Sequence, residues 1–156
     1  MSSVDISSID KQLDAFIAKM SANTTTVARG IAEEVMTTII DEHPLDTTDP
    51  DDVVSKGDWV AEVGGEPGGV DRSDPTGNQA KSQINGVIGT WDAASGAELN
   101  IANDKHQTVM LEYGMYKHAT SRTTAAGFSS QAPEGFVHIN LMKAQKIADK
   151  EAKKVK

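Results

Sequence analysis

Leu111-Glu112-Tyr113-Gly114 reads as a strand running into a glycine turn, and Gln131-Ala132-Pro133-Glu134-Gly135-Phe136-Val137 reads as a Pro/Gly turn that launches another strand. Sixteen residues, Met115 to Ser130, lie between them. Gly114 and Gly135 mark backbone positions expected to tolerate no side chain. Tyr113 and Phe136 are expected to pack in the core or between strands.

Outward from this pair, the strand from Gln107 to Tyr113 is preceded by another alternating stretch, Ala97 to Asn103. The turn-like Asn103-Asp104-Lys105 allows these two to pair as a hairpin. Phe136 to Asn140 is the last predicted strand. It leads into a helix from Leu141 to Lys156 with Leu141, Ala144, Ile147, Ala148, Ala152 and Val155 on one stripe.

Toward the N-terminus, residues 6–42 carry apolar side chains at three-and-four spacing, from Ile6, Ile9 and Leu13 to Ile39 and Ile40. This predicts a long helix, with a break at the weak helix formers Ser21 to Thr26. Pro44 ends it. Residues 44–57 form an acidic loop, and Asp58 to Val63 a short strand. Gly64 to Gly69 is a breaker, and Asn78 to Trp91 a short helix. The order predicts one α+β domain over residues 1–156. Its sheet is mainly antiparallel, with a long N-terminal helix, a short middle helix and a C-terminal helix.

A chain of 156 residues is large enough for one core, but the hydrophobic fraction is 38% and aromatics only 4%. So lean a core suits a subunit that leans on its neighbours. Cysteine is absent, so neither a disulfide framework nor a thiolate metal site is expected. No apolar run approaches a membrane span, and Met1 to Asp5 lacks signal-peptide character. No membrane association is therefore expected, and the protein is expected to be made and kept in the cytoplasm.

Net charge is −8, which argues against non-specific binding to nucleic acid. The charge is unevenly placed. Eleven acids between Asp41 and Asp74 face only Lys56 and Arg72, a net of −9. From Lys143 onward six lysines face Asp149 and Glu151, a net of +4. Such blocks either pair between subunits or sit in solvent.

Catalytic constellations are not evident. His43, His106, His118 and His138 lack metal-ligand spacing. The acidic loop with Asp46, Asp49, Asp51 and Asp52 lacks the ordered calcium-loop pattern, which favours a solvated loop. The Gly64–Gly69 stretch has no following Lys-Ser or Lys-Thr. The serines lack a nucleophile-elbow context. Trp59 and Trp91 are read as core residues, with partner anchoring as the alternative. Tyr116, Lys117, His118 and Arg122 lie on the loop 115–130, which is either a docking surface or a mobile polar loop.

The order of short motifs resembles the tail completion (tail terminator, head–tail joining) proteins of long-tailed bacteriophages. Pro44-Leu45-Asp46-Thr47 resembles a Pro-x-Asp-Thr-Gly segment, with Thr48 where glycine is usual. Gly57-Asp58-Trp59 resembles a Gly-Asn-Trp element, and Asp74-Pro75-Thr76-Gly77 an Asp-x-x-Gly element before a short helix. Leu99 to Asn103 resembles a strand ending in an asparagine turn. The series ends with Leu111-Glu112-Tyr113-Gly114 and Gln131-Ala132-Pro133-Glu134-Gly135-Phe136-Val137. The resemblance spans roughly residues 24–150. In the family the last two motifs nearly touch, whereas here Met115 to Ser130 separates them.

The resemblance implies a structural virion protein and not an enzyme, with no cofactor and no metal. It implies a small α+β subunit in a ring, often a hexamer, at the head-proximal end of the tail. Its partners would be further copies of itself, the tail tube protein and the head connector or stopper protein. DNA would pass through the hole without specific binding, and Asp46, Asp49, Asp51 and Asp52 are candidates for lining it. Alternatives are another neck component (an adaptor or stopper), a minor tail protein, or a small metal-binding or enzymatic domain.

Overall fold

The first element sets the length of the molecule. Helix α1 runs unbroken from Ser7 to Asp41, which at 1.5 Å per residue is about 52 Å. The computed structural model describes residues 7–44, 55–116 and 122–155.

The expected break at Ser21–Thr26 does not occur. The polar side chains there find partners without leaving helical geometry. Thr24 Oγ1 donates back to the Met20 carbonyl (2.9 Å), Thr25 Oγ1 to Asp92 Oδ1 (2.8 Å), and Asn23 Nδ2 to the Val155 carbonyl (3.1 Å). Weak propensity is overridden by hydrogen bonds that the helix itself positions.

After a 3-10 turn at Lys56–Asp58 come strand β1 (Val60–Val63), helix α2 (Asn78–Thr90), a second 3-10 turn at Ala93–Ser95, and strand β2 (Leu99–Ala102). Then follow helix α3 (His106–Tyr113), helix α4 (Val137–Met142), helix α5 (Ala144–Ala152) and a last 3-10 turn at Lys153–Val155. The class is α+β, with one antiparallel strand pair among the described residues: Val60 opposes Ala102 and Val63 opposes Leu99. So short a sheet is marginal alone. Its β1 edge is closed by a side chain. Gln83 of α2 accepts from the Ala61 N–H (3.1 Å) and donates to the Ala61 carbonyl (2.9 Å), as a neighbouring strand would.

Two predicted strands are helices. Gln107–Tyr113 lies within α3, where Thr108 and Leu111 share the buried face three residues apart. The β-branched residues there imitate a period of two, but an eight-residue segment fits either period. Hence Ala97–Asn103 does not pair with it as a hairpin; β2 pairs with β1 instead. Phe136–Asn140 is also not a strand: Val137 to Asn140 opens α4. The C-terminal helix is present but divided at Lys143 into α4 and α5.

The core gathers where the second half of α1 meets the rest. Val35, Met36, Ile39 and Ile40 pack with Trp59, Ala61, Ala80, Ile84, Ile88, Leu111, Ala132, Phe136 and Ile147. Asp74 orders the entry to α2. Its Oδ1 accepts from the Thr76 N–H and hydroxyl, and its Oδ2 from the Gln79 N–H (2.7 Å). Burial raises the Asp74 carboxyl pKa, but these bonds outweigh it and hold the group below its ordinary value. The Gly77 Cα lies so close to Ile40 that a Cβ there would meet the Ile40 Cγ2 at 2.4 Å. That contact explains why the Asp74-Pro75-Thr76-Gly77 element ends in glycine.

Candidate functional site

The two end motifs meet in space, and one carboxylate joins them. Glu112, near the end of α3, reaches the N-terminus of α4. Its Oε2 accepts from the N–H groups of Phe136 (2.9 Å) and Val137 (2.7 Å), and its Oε1 from the His138 N–H (3.0 Å). His138 Nδ1 lies 2.8 Å from the same Oε1. The first N–H groups of a helix have no partner inside it and carry partial positive charge, so an anion there is stabilising. Burial works against the Glu112 charge, but the three N–H bonds and His138 together leave its pKa below the ordinary value.

The glycines make room for this arrangement. At Gly135 (φ +80°) a Cβ would sit 2.7 Å from the Glu112 carbonyl and 3.0 Å from its Oε2. Gly114 (φ +65°) caps α3 by donating to the Met110 carbonyl (3.0 Å). A Cβ there would meet the Phe128 ring at 2.7 Å. Leu111, Ala132 and Phe136 are buried, while Gln131 and Pro133 are on the surface. Tyr113 is 71% exposed and not a packing residue. In a strand it would share a face with Leu111; in helix α3, two residues turn it to the opposite side.

The segment between the motifs is not an open loop along its described part. Thr123 and Ser129 form an antiparallel bridge. Ser130 N–H donates to the Arg122 carbonyl (2.7 Å), and Thr124 N–H to the Phe128 carbonyl (2.7 Å). Tyr116 N–H donates to the Gly127 carbonyl (3.0 Å), which ties this small hairpin back to the end of α3. The excursion therefore returns to where it began, and the motifs become neighbours despite their separation in sequence. Tyr116 is half-buried and Arg122 exposed. Lys117 and His118 lie outside the described residues, as do Asp46, Asp49, Asp51 and Asp52.

Phe136 connects this junction to a buried polar group. Its ring meets that of His43 edge-on, with centroids 4.8 Å apart. His43 Nδ1 accepts from the Trp59 indole N–H (3.2 Å), and His43 Nε2 lies 3.0 Å from Ser55 Oγ. An indole nitrogen only donates, so Nδ1 is unprotonated and Nε2 carries the hydrogen. Burial, with Lys56 adding to it, lowers the His43 pKa to about 3 and keeps the ring neutral. Nε2 thus donates to Ser55 and cannot take its proton. The Ser–His pair, buried throughout, is a core hydrogen bond and not a nucleophile with its base.

The charge blocks also find partners within the chain. Lys150 pairs with Glu34 (2.6 Å), Lys143 with Glu42 (3.3 Å), and Lys81 with Asp41 (2.7 Å). Asp58, fully buried, accepts from the Arg72 N–H (2.7 Å). Its Oδ2 lies 3.4 Å from Lys105 Nζ, an ion pair without a directed hydrogen bond. No group of three or more His, Asp or Glu able to hold a metal occurs among the described residues. No helix among them is long and apolar enough to cross a membrane.

An apolar feature lies open to a partner. A groove of about 620 Å³ runs along α1. Thr25 and Arg29 hold the 91–95 segment on one flank of the helix, and Gly30 and Glu34 meet α5 on the other. Between these flanks Ala28, Ile31 and Val35 form the floor. Trp91, Leu99 and Ile101 line one side, and Val137, Leu141 and Ala144 the other. Trp59 is buried as expected, whereas Trp91 is half-buried at the groove and donates its indole N–H to the Ala97 carbonyl (2.7 Å). No spacing rule in the sequence points to the groove, because its sides come from segments far apart in the chain.

A scan against protein-family models gave no match, and searches of the curated proteins and of the solved structures found none.

Proposed function

We propose that this protein is a structural subunit of a tailed-phage virion. Copies of it form a ring, with six as the expected number, at the head-proximal end of the tail. The ring ends the tail tube and joins it to the head connector, and DNA passes through its centre. The observation that carries the reading is the pair of end motifs, resembling those of tail completion proteins, meeting at the Glu112 carboxylate. In that family the motifs nearly touch in sequence, and in this chain the hairpin at 122–130 returns them to contact. The exposed apolar groove adds support, since a ring subunit needs lateral surface to bury.

The test has two parts. Purified protein is imaged by negative-stain electron microscopy, where rings with a central hole are expected. A phage lacking the gene should accumulate separate heads and tails and regain joined particles when it is supplied. Joined, infectious particles without the gene would overturn the reading. Density at the portal side of the neck alone would move the protein to the adaptor or stopper role.

A further inference from the structure

The first half of α1 is exposed along every residue from Lys11 to Met20. Its apolar side chains are not scattered. Leu13, Phe16, Ile17 and Met20 are each 51–61% exposed and share one face at three-and-four spacing. The same face continues through Thr24 and Ala28 into the floor of the apolar groove. From Leu13 to Val35 the band is about 33 Å long and about one helix diameter, roughly 10 Å, wide. In projection alone it reaches the size at which exposed apolar patches mark interaction sites, about 300–600 Å².

The arm cannot cover its own groove, because both belong to one unbroken helix. A second copy can. We infer that the α1 arm of one copy lies antiparallel along α1 of another, with Leu13, Phe16, Ile17 and Met20 entering that copy's groove. The inference rests on this exposed face and not on the tail reading, although it would supply a subunit contact for it.

Shape selects the antiparallel direction. A parallel pairing would set arm against arm and groove against groove, leaving both grooves uncovered. An antiparallel one lays each arm along the partner's groove. Centred where Thr24 of one copy meets Ala28 of the other, it sets Met20 over Ala32 and Phe16 over Met36. Small residues at the centre let the two backbones approach, and large ones fall where the groove has room. Such a face is self-complementary, as a two-fold contact requires.

The full-length protein supplies the test. Its mass is followed by sedimentation or light scattering across a concentration series, for the wild type, Phe16→Glu and Ala18→Glu. Phe16 and Ala18 are both exposed, so neither change should alter the fold, and thermal unfolding checks this. The wild type and Ala18→Glu should form multimers, and Phe16→Glu should remain at the one-chain mass with an unchanged melting temperature. The chain has no cysteine, so Met20→Cys and Ala32→Cys proteins can be mixed and oxidised. A covalent pair should form between the two variants and not within either alone. A wild type that stays at one-chain mass, or multimers unaffected by Phe16→Glu, would overturn the inference. Rings that persist in Phe16→Glu would remove the arm contact but leave the tail reading standing. A two-chain species that Phe16→Glu abolishes would support the arm contact and count against a closed ring.

Discussion

Glu112 and Phe136, far apart in sequence, are joined by a 2.9 Å hydrogen bond from the Phe136 N–H to the Glu112 carboxylate. The same carboxylate accepts from Val137 and His138, so a side chain of α3 supplies the N-terminal cap that α4 lacks locally. These bonds hold the start of α4, which lines one side of the apolar groove, and the adjoining Phe136 that meets His43.

Replacing Glu112 tests that relationship directly. Glu112→Ala leaves three helix N-terminal donors without their anion and should cost about 2–3 kcal/mol of unfolding free energy. Glu112→Gln keeps an acceptor but loses the charge and should cost about 1–2 kcal/mol. Urea unfolding at neutral pH reads both. A Glu112→Ala protein as stable as the wild type would show that α4 needs no cap from α3.

The two glycines of the junction should tolerate no side chain. Gly135→Ala places a Cβ against the Glu112 backbone at positive φ and should destabilise by about 1–3 kcal/mol. Gly114→Val drives a branched side chain into the Phe128 ring and should impair folding more severely. Melting temperatures and soluble yield measure the effect. Wild-type behaviour for Gly114→Val would mean that the 122–130 hairpin does not pack on α3 as described.

Acid should weaken the fold already between pH 7 and 5, through one buried histidine. The folded-state pKa of His43 is lowered to about 3 from an ordinary 6.5. Below pH 6.5 the unfolded chain therefore takes up a proton that the native protein refuses. The contribution of the neutral ring is complete above pH 6.5 and declines as pH falls toward 3, by about 1.4 kcal/mol per pH unit. Between pH 7 and 5 the loss should be roughly 2 kcal/mol. His43→Gln should be less stable at pH 7 yet nearly flat over that range. Glu42, Asp74 and Glu112, all with lowered pKa values, should add further loss only as pH falls below their ordinary values near 4. Equal slopes in wild type and His43→Gln would remove His43 as the cause.

Gln83 stands in for a strand. Gln83→Ala leaves the N–H and carbonyl of Ala61 without their partners and should cost about 1–3 kcal/mol. Hydrogen exchange at the Ala61 amide should quicken more than at Val60 or Glu62. Unchanged exchange at Ala61 would mean that the β1 edge is protected by something other than this amide.

Much of the architecture is legible in the local pattern. The three-and-four spacing from Leu13 to Ile40 specifies α1. The breaker at Gly64–Gly69 and the Asp74 to Gly77 turn bracket the start of α2, and Leu141 to Val155 reads as helix. Where the local pattern failed, long-range contacts were decisive. Val137 to Asn140 is rich in strand-forming residues and is helical because Glu112 caps it from another element. Ser21 to Thr26 consists of weak helix formers and stays helical because Asp92 and Val155 receive its side chains.

Alone, then, the sequence determined the α+β class, the long first helix, the apolar stripe along it and the glycines of the end motifs, because periodicity and missing side chains are properties of neighbours in the chain. The tertiary structure decided that the two motifs meet, that their strands are helices, that Ser55 and His43 form a core bond, and that the groove along α1 lies open. Each of those depends on a hydrogen bond or packing contact between residues distant in sequence, and no local spacing encodes which distant partner a side chain will find.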